Sequence, residues 1–386
     1  MTRVLTIMLT MAMVLMTGIS VMAADRPTPI VAEPTVVGVY LPMTGDVASL
    51  GQMAWDGIAA ANDMMPQVLG RDVKLFLADT KSDKDEAAKA VESLIRREKA
   101  VAIIGEAISS DSIAGGPVGE MHDVPMVTPT ATNPLVTQGK KYYFRVCFSD
   151  PFQGEIAAML GLMTLRARTA AVVVDINQDY CIGLGNFFVK SFTRWGGKVP
   201  FTTYIHTGDK DFSDQLATIQ AAKPDIIYAP DYYAEVALLA KQARDLGINI
   251  PIVAGDAAQS EELIKLGGSA VEGLYFTAHF NAAAVTTKLG KEFMTLYKKK
   301  YNRELDAFGA MGADAYFVLL DAMQRTTSTL GPKVREGLAS TRDFQGVSGK
   351  ISIGEDGNAV KSVVINQVKD GKFAYVTSMS PTFTGQ

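Results

Sequence analysis

Residues 36–41 read Val-Val-Gly-Val-Tyr-Leu, an apolar run with the length and composition of a buried β-strand. Residues 51–65 follow with a helix-length amphipathic pattern, and residues 73–78, Val-Lys-Leu-Phe-Leu-Ala, return to a strand pattern. Residues 84–98 carry apolar side chains at helical spacing, and Ser82 is the expected N-cap of that helix. Apolar strands that alternate with helices indicate a parallel sheet covered on both faces.

This alternation continues to residue 128 and then begins a second time. The remaining strand candidates are 101–104 and 125–128, and then, in the second series, 143–148, 170–175, 199–205, 225–229, 250–254 and 274–278. The helix candidates between them are 110–123, 151–165, 183–195, 212–222 and 232–246. We therefore predict an α/β chain with two doubly wound, Rossmann-like lobes.

The last part of the chain has a different pattern of predicted elements. Two long helical patterns, 286–301 and 308–325, precede a β-like region at 346–378 with hairpin signals at Asp356-Gly357 and Asp370-Gly371. Because no low-complexity linker separates the two series, we expect several chain crossings to join the lobes. A cleft between lobes is a common place for a small ligand.

Composition excludes several classes of protein. The 386 residues are 48% hydrophobic and 20% charged, which is typical of a folded globular chain with more than one domain. The formal net charge is -4 and the longest basic run is the Lys298 to Lys300 triplet. Such a chain lacks the basic patch of a nucleic-acid-binding protein, so we expect no nucleic-acid partner.

The first residues have the pattern of a secretory signal. Arg3 precedes an uncharged stretch, residues 4–24, that ends in Val21-Met22-Ala23, and we expect residues 1–24 to be a cleaved signal peptide. A retained membrane anchor is the alternative, because the run is almost long enough to span a bilayer. The two cysteines, Cys147 and Cys181, do not follow this run, so a lipoprotein is not expected. These features predict a protein that is free in the periplasm.

Motifs for common enzymatic chemistry are missing from the sequence. We find no Walker loop, no Gly-x-Ser-x-Gly elbow and no His-Glu-x-x-His motif. The histidines, His122, His206 and His279, are far apart and have no Cys or acidic partner at ligand spacing. We therefore predict no metal and no cofactor, and packing or surface roles for the histidines.

Two polar turns follow predicted strands, at the edge where an open α/β sheet binds its ligands. Residues 105–110 read Gly-Glu-Ala-Ile-Ser-Ser, and residues 128–134 read Thr-Pro-Thr-Ala-Thr-Asn-Pro. Hydroxyls and free backbone N–H groups at a helix start suit a carboxylate. The alternative is that Ser109 or Ser110 only caps the next helix and that Thr132 only shapes a turn.

Five short motifs occur in a fixed order along the chain. They are Pro42-Met43-Thr44-Gly45 with Gly51, Ser109-Ser110, Thr130-Ala131-Thr132-Asn133-Pro134, Phe144-Arg145 leading to Gln153-Gly154, and Lys210-Asp211-Phe212. In this order they resemble the type I periplasmic binding proteins, in the leucine/isoleucine/valine-binding family that serves ABC importers. The resemblance covers essentially the whole chain after the leader. It implies two Rossmann-like lobes joined by three crossings around a ligand cleft, with lobe 1 at 35–148 plus 279–348 and lobe 2 at 149–278 plus 349–386.

The resemblance also implies ligand contacts. Ser109 and Thr132, with the amides around Thr130 and Ala131, would hold the α-carboxylate of an amino acid. Asp256 would receive its α-ammonium group; the alternative is a helix cap, for which Ser260 is the better candidate.

Two aromatic residues, Tyr180 and Tyr232, fall at positions of the cleft wall in the second lobe, with a core role as the alternative for each. Leu50 stands where some relatives have a large aromatic residue, and Asp111 stands where others have a hydroxyl. These departures leave the side chain of the ligand open.

The implied function is a monomeric solute-binding protein that captures an amino acid by lobe closure and presents it to ABC permease subunits, without chemistry. Alternatives are a sensor that docks on a receptor and a hydrolase that uses Ser109, for which no histidine lies in the motif turns. Cys147 and Cys181 would form a disulfide in an oxidising compartment or stay as two buried thiols.

Overall fold

The computed structural model describes residues 33–381. The first sheet of this region has six strands. Its strands are β1 (Thr35–Leu41), β2 (Gln67–Val68), β3 (Arg71–Asp79), β4 (Ala102–Gly105), β5 (Met126–Thr128) and β6 (Tyr143–Arg145). Three helices alternate with them, α1 (Ala48–Met64), α2 (Lys84–Arg96) and α3 (Ser109–Met121). The spatial order is β2-β3-β1-β4-β5-β6, and all neighbours are parallel except β2 with β3. The predicted signal peptide, residues 1–24, lies outside the described residues.

Strand β1 is buried on both faces, as its continuous apolar sequence predicts. Val37 and Val39 belong to a buried cluster that includes Ile58 of α1. Tyr40 belongs to a second cluster that includes Leu94 of α2. Because successive side chains of a strand point to opposite faces, β1 lies between layers of helices.

The second series begins after β6 and repeats the alternation. Its helices are α4 (Asp150–Met159, continued at 160–164 as a π-helical turn), α5 (Asp179–Arg194), α6 (Ser213–Ala222), α7 (Tyr233–Asp245) and α8 (Glu261–Gly267). Its strands are β7 (Thr169–Asp175), β8 (Lys198–Ile205), β9 (Ile226–Ala229), β10 (Ile252–Ala254) and β11 (Tyr275–Ala278). These strands pair in parallel.

The last part of the chain contributes to both lobes. It consists of α9 (Lys288–Tyr301), α10 (Ala307–Thr326), α11 (Gly331–Ala339), β12 (Phe344–Gln345), β13 (Lys350–Ile353), β14 (Ala359–Val360), β15 (Val363–Lys369) and β16 (Lys372–Met379). Helix α10 packs on α1, whereas β15 and β16 complete the second sheet as antiparallel strands next to β11. The order of that sheet is β16-β15-β11-β10-β9-β7-β8. The predicted α/β fold with two doubly wound lobes is confirmed.

The chain passes between the two sheets three times, at residues 146–149, 279–287 and 361–362. A buried ion pair anchors the third crossing, where Lys361 Nζ lies 3.8 Å from Asp314 Oδ2 of α10. Ser348 lies between them, because its hydroxyl accepts from Lys361 and its amide donates to Asp314 Oδ2 at 3.0 Å. Lys361 is therefore fixed to the helix layer of the first lobe.

Residues 350–360 contact the first lobe, although the sequence division places them in lobe 2. Arg145 N of β6 donates to Gly357 O at 2.9 Å, and Ile353 N donates to Thr341 O at 3.0 Å. The Thr137 hydroxyl also donates to Asn358 Oδ1 at 2.9 Å. These bonds attach the small sheet of β12, β13 and β14 to the first lobe.

The strands and long helices predicted from the sequence are present, and their ends shift by a few residues. The predicted cap of α2 is wrong. Asp83 is the N-cap, since its carboxylate accepts from the amides of Asp85 and Glu86, both at 2.9 Å. Ser82 instead donates to Thr44 O at 3.1 Å and ties this turn to the turn after β1. Within residues 33–381, no helix is long and apolar enough to cross a membrane.

The contact between α1 and α10 depends on glycine. A Cβ atom at Gly57 would lie 1.9 Å from Gly309 O, which is backbone and cannot move aside. We expect Gly57→Ala to lower the free energy of unfolding by about 1–3 kcal/mol, as overpacking does in other cores. Urea denaturation measures this change, and Gln52→Ala on the exposed face of α1 is the control, with an expected change below about 0.5 kcal/mol. Equal stability of the two variants would contradict the close contact.

Candidate ligand-binding site

A small cavity lies where strands of both sheets end. Its walls are formed by Leu50, Ala107, Ile108, Ser109, Thr130 and Phe308 of the first lobe and Tyr180, Tyr232, Asp256 and Ala257 of the second. Each of these residues is at least 96% buried. About 10 Å³ of space is left between these walls, which is room for about one water molecule, so the walls lie close against each other in this structure.

Five of the seven predicted site residues line this cavity: Ser109, Thr130, Tyr180, Tyr232 and Asp256. Ala131 and Thr132 do not line it. The Ala131 amide is already used, because it donates to Thr128 Oγ1 at 3.0 Å. Thr132 is fully buried, and its hydroxyl acts on the Asp150 carboxyl, whose pKa it lowers. The predicted ligand contacts themselves stay predictions.

The first-lobe wall combines the start of α3 with the turn after β5. Ser109 is the first residue of α3, where backbone N–H groups have no acceptor inside the helix. Its Oγ accepts from Asn133 N at 3.2 Å, and Thr130 Oγ1 donates to Ala107 O at 2.7 Å. The two turns are thus bonded to each other and form one polar wall. A carboxylate is the group that such a helix start favours.

Arg145 supports this wall from within the lobe. It is fully buried, and its guanidinium donates to Ala131 O at 2.9 Å and to Asn133 O at 2.7 Å. Burial lowers the pKa of Arg145. Arg145 belongs to one of the sequence motifs, but the sequence predicts no role for it. Its role in the structure is to fix the carbonyl groups of the turn so that the opposite side of the turn faces the cavity.

Two acidic residues lie beneath the same wall. Glu106 accepts from Thr80 Oγ1 and from Ile108 N, both at 2.7 Å, and burial, with the charge of Asp111, holds its pKa well above the usual range. Burial, with the charge of Asp83, raises the pKa of Asp111 to about 7. Burial therefore reduces the negative charge that these residues carry near the predicted carboxylate position.

Asp256 forms the opposite, acidic end of the cavity. Its Oδ1 accepts from Gln153 Nε2 at 2.7 Å and from Tyr180 OH at 2.9 Å, and its Oδ2 lies 2.8 Å from His279 Nε2. Asp256 does not cap a helix, since Ser260 is the N-cap of α8. Asp256 is therefore a buried carboxylate held by three side chains from different elements.

His279 and Gln153 are site residues that sequence reasoning missed. A role for His279 in packing or at the surface was predicted because no acidic partner stands at ligand spacing. The partner, Asp256, is 23 residues away in sequence. A signal was available, because His279 directly follows β11, Asp256 lies two residues after the end of β10, and these strands are neighbours.

The aromatic wall of the second lobe consists of Tyr180 and Tyr232, whose ring centroids are 5.5 Å apart. The Tyr180 hydroxyl contacts Asp256, as described above, whereas the next tyrosine, Tyr233, turns toward the first lobe and donates to Asp46 O at 3.2 Å. Tyr180 therefore takes part in the acidic end of the cavity, and Tyr233 belongs to the rim.

The rim carries further contacts between the lobes. Lys84 of α2 forms an ion pair with Asp179 of α5 at 2.9 Å, and Asn133 Nδ2 donates to Asp179 O at 2.7 Å. Ser110 Oγ accepts from Asp179 N at 2.9 Å, so Ser110 contacts the opposite lobe rather than capping its own helix. The structure thus has the two lobes in contact around the cavity.

Cys147 and Cys181 are both free, buried thiols in the structure. Cys147 Sγ donates to Ala131 O at 3.4 Å, and burial raises the pKa of its thiol to about 12. Burial also raises the pKa of Cys181, with Asp231 as the next cause. Of the two alternatives from the sequence, the structure has the two buried thiols and not the disulfide.

Within residues 33–381, no three His, Cys, Asp or Glu side chains come together as a possible metal site. Ser109 also lacks the partner of a catalytic nucleophile. Its hydroxyl contacts a backbone amide, and the buried His279 contacts Asp256 instead. The arrangement is suited to holding a small molecule with an anionic and a cationic end.

One buried acid close to the site gives the folding stability a pH dependence. Burial raises the pKa of Asp150, at the start of α4, to about 8. The hydroxyl of Thr132 and the charge of Arg145 lower this pKa, whereas the charge of Asp256 raises it. The unfolded chain loses this proton near pH 4, whereas the folded chain keeps it until about pH 8. The proton's contribution to stability is therefore complete below about pH 4 and is lost as the pH rises through this interval.

We expect Asp150→Asn, which mimics the protonated acid, to gain stability relative to the wild type as the pH increases from 5 to 8.5. Thermal unfolding at both pH values, without ligand, measures the difference in Tm. Asp214→Asn, at an exposed position of α6, is the control, and its difference in Tm from the wild type should be the same at both pH values. A difference for Asp150→Asn that does not change with pH would show that the buried carboxyl is ionised in the folded protein.

Comparisons with known proteins agree with the geometry of the cavity. Residues 34–372 match the family described as periplasmic binding protein. The Leu/Ile/Val-binding protein BraC3 of Rhizobium johnstonii is 29% identical over 335 residues, which are 86% of this chain and 90% of that protein. A leucine-, isoleucine-, valine-, threonine-, and alanine-binding protein of Pseudomonas aeruginosa is 26% identical over 82% of this chain and 85% of its own length.

Solved structures agree in fold over the whole described region. The leucine-binding protein LivK of Thermotoga maritima has a TM-score of 0.89 and 47% identity, and the match covers 90% of this chain and 99% of that chain. LivJ of Streptococcus pneumoniae, in complex with isoleucine, has a TM-score of 0.85 and 28% identity over 90% of this chain and all of that chain, 100%. The family match, the two-lobed fold and the cavity between the lobes together establish that this chain belongs to the type I periplasmic binding proteins of the Leu/Ile/Val-binding family, which are solute-binding proteins and not enzymes.

Proposed function

We propose that this protein captures a free amino acid between its lobes and delivers it to the permease of an ABC importer. The observation that carries the proposal is the polarity of the cavity. The first-lobe end offers the start of α3 and the Ser109 hydroxyl, and the second-lobe end offers the Asp256 carboxylate. These ends are complementary to the carboxylate and the ammonium group of one zwitterion.

The remaining wall supports an aliphatic side chain. Leu50, Ile108 and Phe308 from the first lobe and Ala257 from the second are apolar and buried, and they line the same small cavity. Ligand pockets commonly combine such apolar walls with a few polar groups that orient the ligand. The names of the relatives, which mention leucine, isoleucine, valine, threonine and alanine, agree with a ligand whose side chain is small or aliphatic.

The lobe division that we propose takes residues 35–145 and 288–360 as lobe 1 and residues 150–278 and 363–379 as lobe 2. The backbone hydrogen bonds from Arg145 N to Gly357 O and from Ile353 N to Thr341 O support this boundary. We further propose cleavage of residues 1–24, release into the periplasm without a lipid anchor, action as a monomer, and docking on the permease subunits. The location agrees with the family to which the chain belongs.

Mass spectrometry of small molecules released from denatured, freshly purified protein identifies the ligand, and calorimetry measures its affinity. We expect leucine, isoleucine, valine, threonine or alanine to bind. Asp256→Asn should weaken the best of them at least tenfold, because removal of one partner from a buried charge pair costs about 2–5 kcal/mol. The exposed Asp214→Asn is the matched control and should bind like the wild type. Failure of all five amino acids to bind, or full affinity in Asp256→Asn, would refute the proposed recognition.

Lobe closure should be measurable in solution. A ligand that contacts both walls stabilises the closed arrangement, so small-angle scattering should show a smaller radius of gyration with saturating amino acid. An unchanged radius at saturation would contradict closure.

Lys84→Ala removes the rim ion pair with Asp179, and we expect a loss of affinity of about two- to threefold, because exposed ion pairs contribute little. Lys89→Ala is the control, because Lys89 lies on the same helix but pairs within that helix with Glu86.

A further inference from the structure

We propose that His279, as a neutral imidazole, holds the Asp256 carboxylate in the orientation that receives the ligand's ammonium group and leaves its negative charge intact. This inference rests on the proposed function, since it concerns the ammonium end of the amino acid site. His279 is then a positioning residue, because it acts on the ligand through Asp256.

The contact is short and fully enclosed. His279 Nε2 lies 2.8 Å from Asp256 Oδ2, and the side chains are 0% and 4% exposed. The imidazole ring also packs on Phe148, with ring centroids 4.2 Å apart. Phe148 belongs to the first crossing and His279 begins the second crossing. The ring is therefore fixed by the hinge region on one side and by the site on the other.

The hydrogen bonds around Asp256 define which lone pair is available. Oδ1 accepts two hydrogen bonds, from Gln153 and from Tyr180, so both of its lone pairs are used. Oδ2 accepts one bond, from His279, and has one lone pair left. The position of the imidazole therefore decides where the remaining lone pair of Oδ2 points.

The second ring nitrogen of His279 indicates its charge. Nδ1 is buried and has no hydrogen-bond partner. A proton on Nδ1 would be a buried donor without an acceptor, which is unfavourable, whereas an unprotonated Nδ1 leaves only a weak acceptor unpaired. With Nε2 as the protonated nitrogen, the ring donates to Asp256 and stays neutral.

Neutrality matters for the ligand. A neutral imidazole and a carboxylate together have a net charge of -1, which balances the single positive charge of an ammonium group. An imidazolium in the same place would cancel the carboxylate and leave the ammonium group with no net counter-charge in a water-excluding cavity. The role of His279 is thus to satisfy Asp256 without neutralising it.

Two amide substitutions separate this role from simple packing. The amide nitrogen of Gln extends to the position of Nε2, whereas that of Asn reaches only the position of Nδ1 and cannot contact Asp256 Oδ2. We expect His279→Gln to bind the best amino acid within about threefold of the wild type. We expect His279→Asn, and likewise His279→Leu, to bind it at least tenfold more weakly. The exposed His206→Leu is the control and should bind like the wild type.

A double-mutant cycle with Asp256→Asn tests whether His279 acts through the carboxylate. In the Asp256→Asn background, His279→Asn should weaken binding by less than about twofold, because the charge that it positions is gone. Calorimetry gives the affinities, and thermal unfolding without ligand verifies that each variant is folded. If His279→Leu does not fold, the comparison of His279→Gln with His279→Asn still tests the role of His279.

The possible failures are distinguishable. A wild type that binds no amino acid refutes the proposed function and this inference with it. A wild type that binds, with Asp256→Asn impaired but His279→Asn as tight as wild type, refutes only the role of His279. Equal losses in His279→Gln and His279→Asn, or losses that add fully in the double variant, would also refute it, because they are the result expected from packing alone.

Discussion

The guanidinium of Arg145 is buried without a carboxylate partner, and the first lobe is organised around this constraint. A buried charge is tolerated only where hydrogen bonds replace its hydration, and here the carbonyl groups of Ala131 and Asn133 provide them. The backbone of the same residue bonds to Gly357 next to the third crossing. One side chain and its own amide thus connect the ligand-facing turn, the end of β6 and the last crossing. A turn without regular secondary structure thereby becomes a fixed part of the cavity wall.

The acidic side chains near the cavity differ in the groups that surround them. Burial raises the pKa of Glu106, Asp111 and Asp150. Asp256 is equally buried, and its carboxylate is held by hydrogen bonds with Gln153, Tyr180 and His279. These three side chains fix the Asp256 carboxylate at the end of the cavity where an ammonium group is expected. Charge placement in this site is therefore a matter of hydrogen-bond donors as much as of sequence position.

Much of the fold could be predicted from local sequence. Buried parallel strands such as residues 36–41 leave a continuous apolar run, and the hairpin turns near residues 356 and 370 leave the Asp-Gly signal. The short helix α11 was missed as an element because it has few turns, and α8 was marked in the sequence only by its cap, Ser260. The cap of α2 was misplaced by one residue because Ser82 and Asp83 are both good caps, and only the contact of Ser82 with the neighbouring turn decides between them.

The site was predictable only in part, for a physical reason. The turns after β4 and β5 are marked by polar residues at strand ends, which is why Ser109 and Thr130 could be singled out from the sequence, whereas Asp256 was named only through the family resemblance. The pairing of Asp256 with His279, and the way Ser110 reaches Asp179, depend on how distant segments meet in space. The same is true of Thr132, whose hydroxyl chemistry suits a ligand but which does not line the cavity. Residue type shows what a side chain can do, and packing decides whether it has access.

The anchored third crossing determines the kind of motion that the lobes can make. Lys361 is fixed to α10 through Asp314 and Ser348, and β15 begins at Val363, so a single residue, Ser362, separates the anchor from the second sheet. A connection this short has too little slack for one lobe to slide past the other. We expect this crossing to act as a pivot that permits rotation of the lobes but little translation. Opening and closing would then separate and rejoin Ser109 and Asp256 without sliding one wall of the cavity along the other.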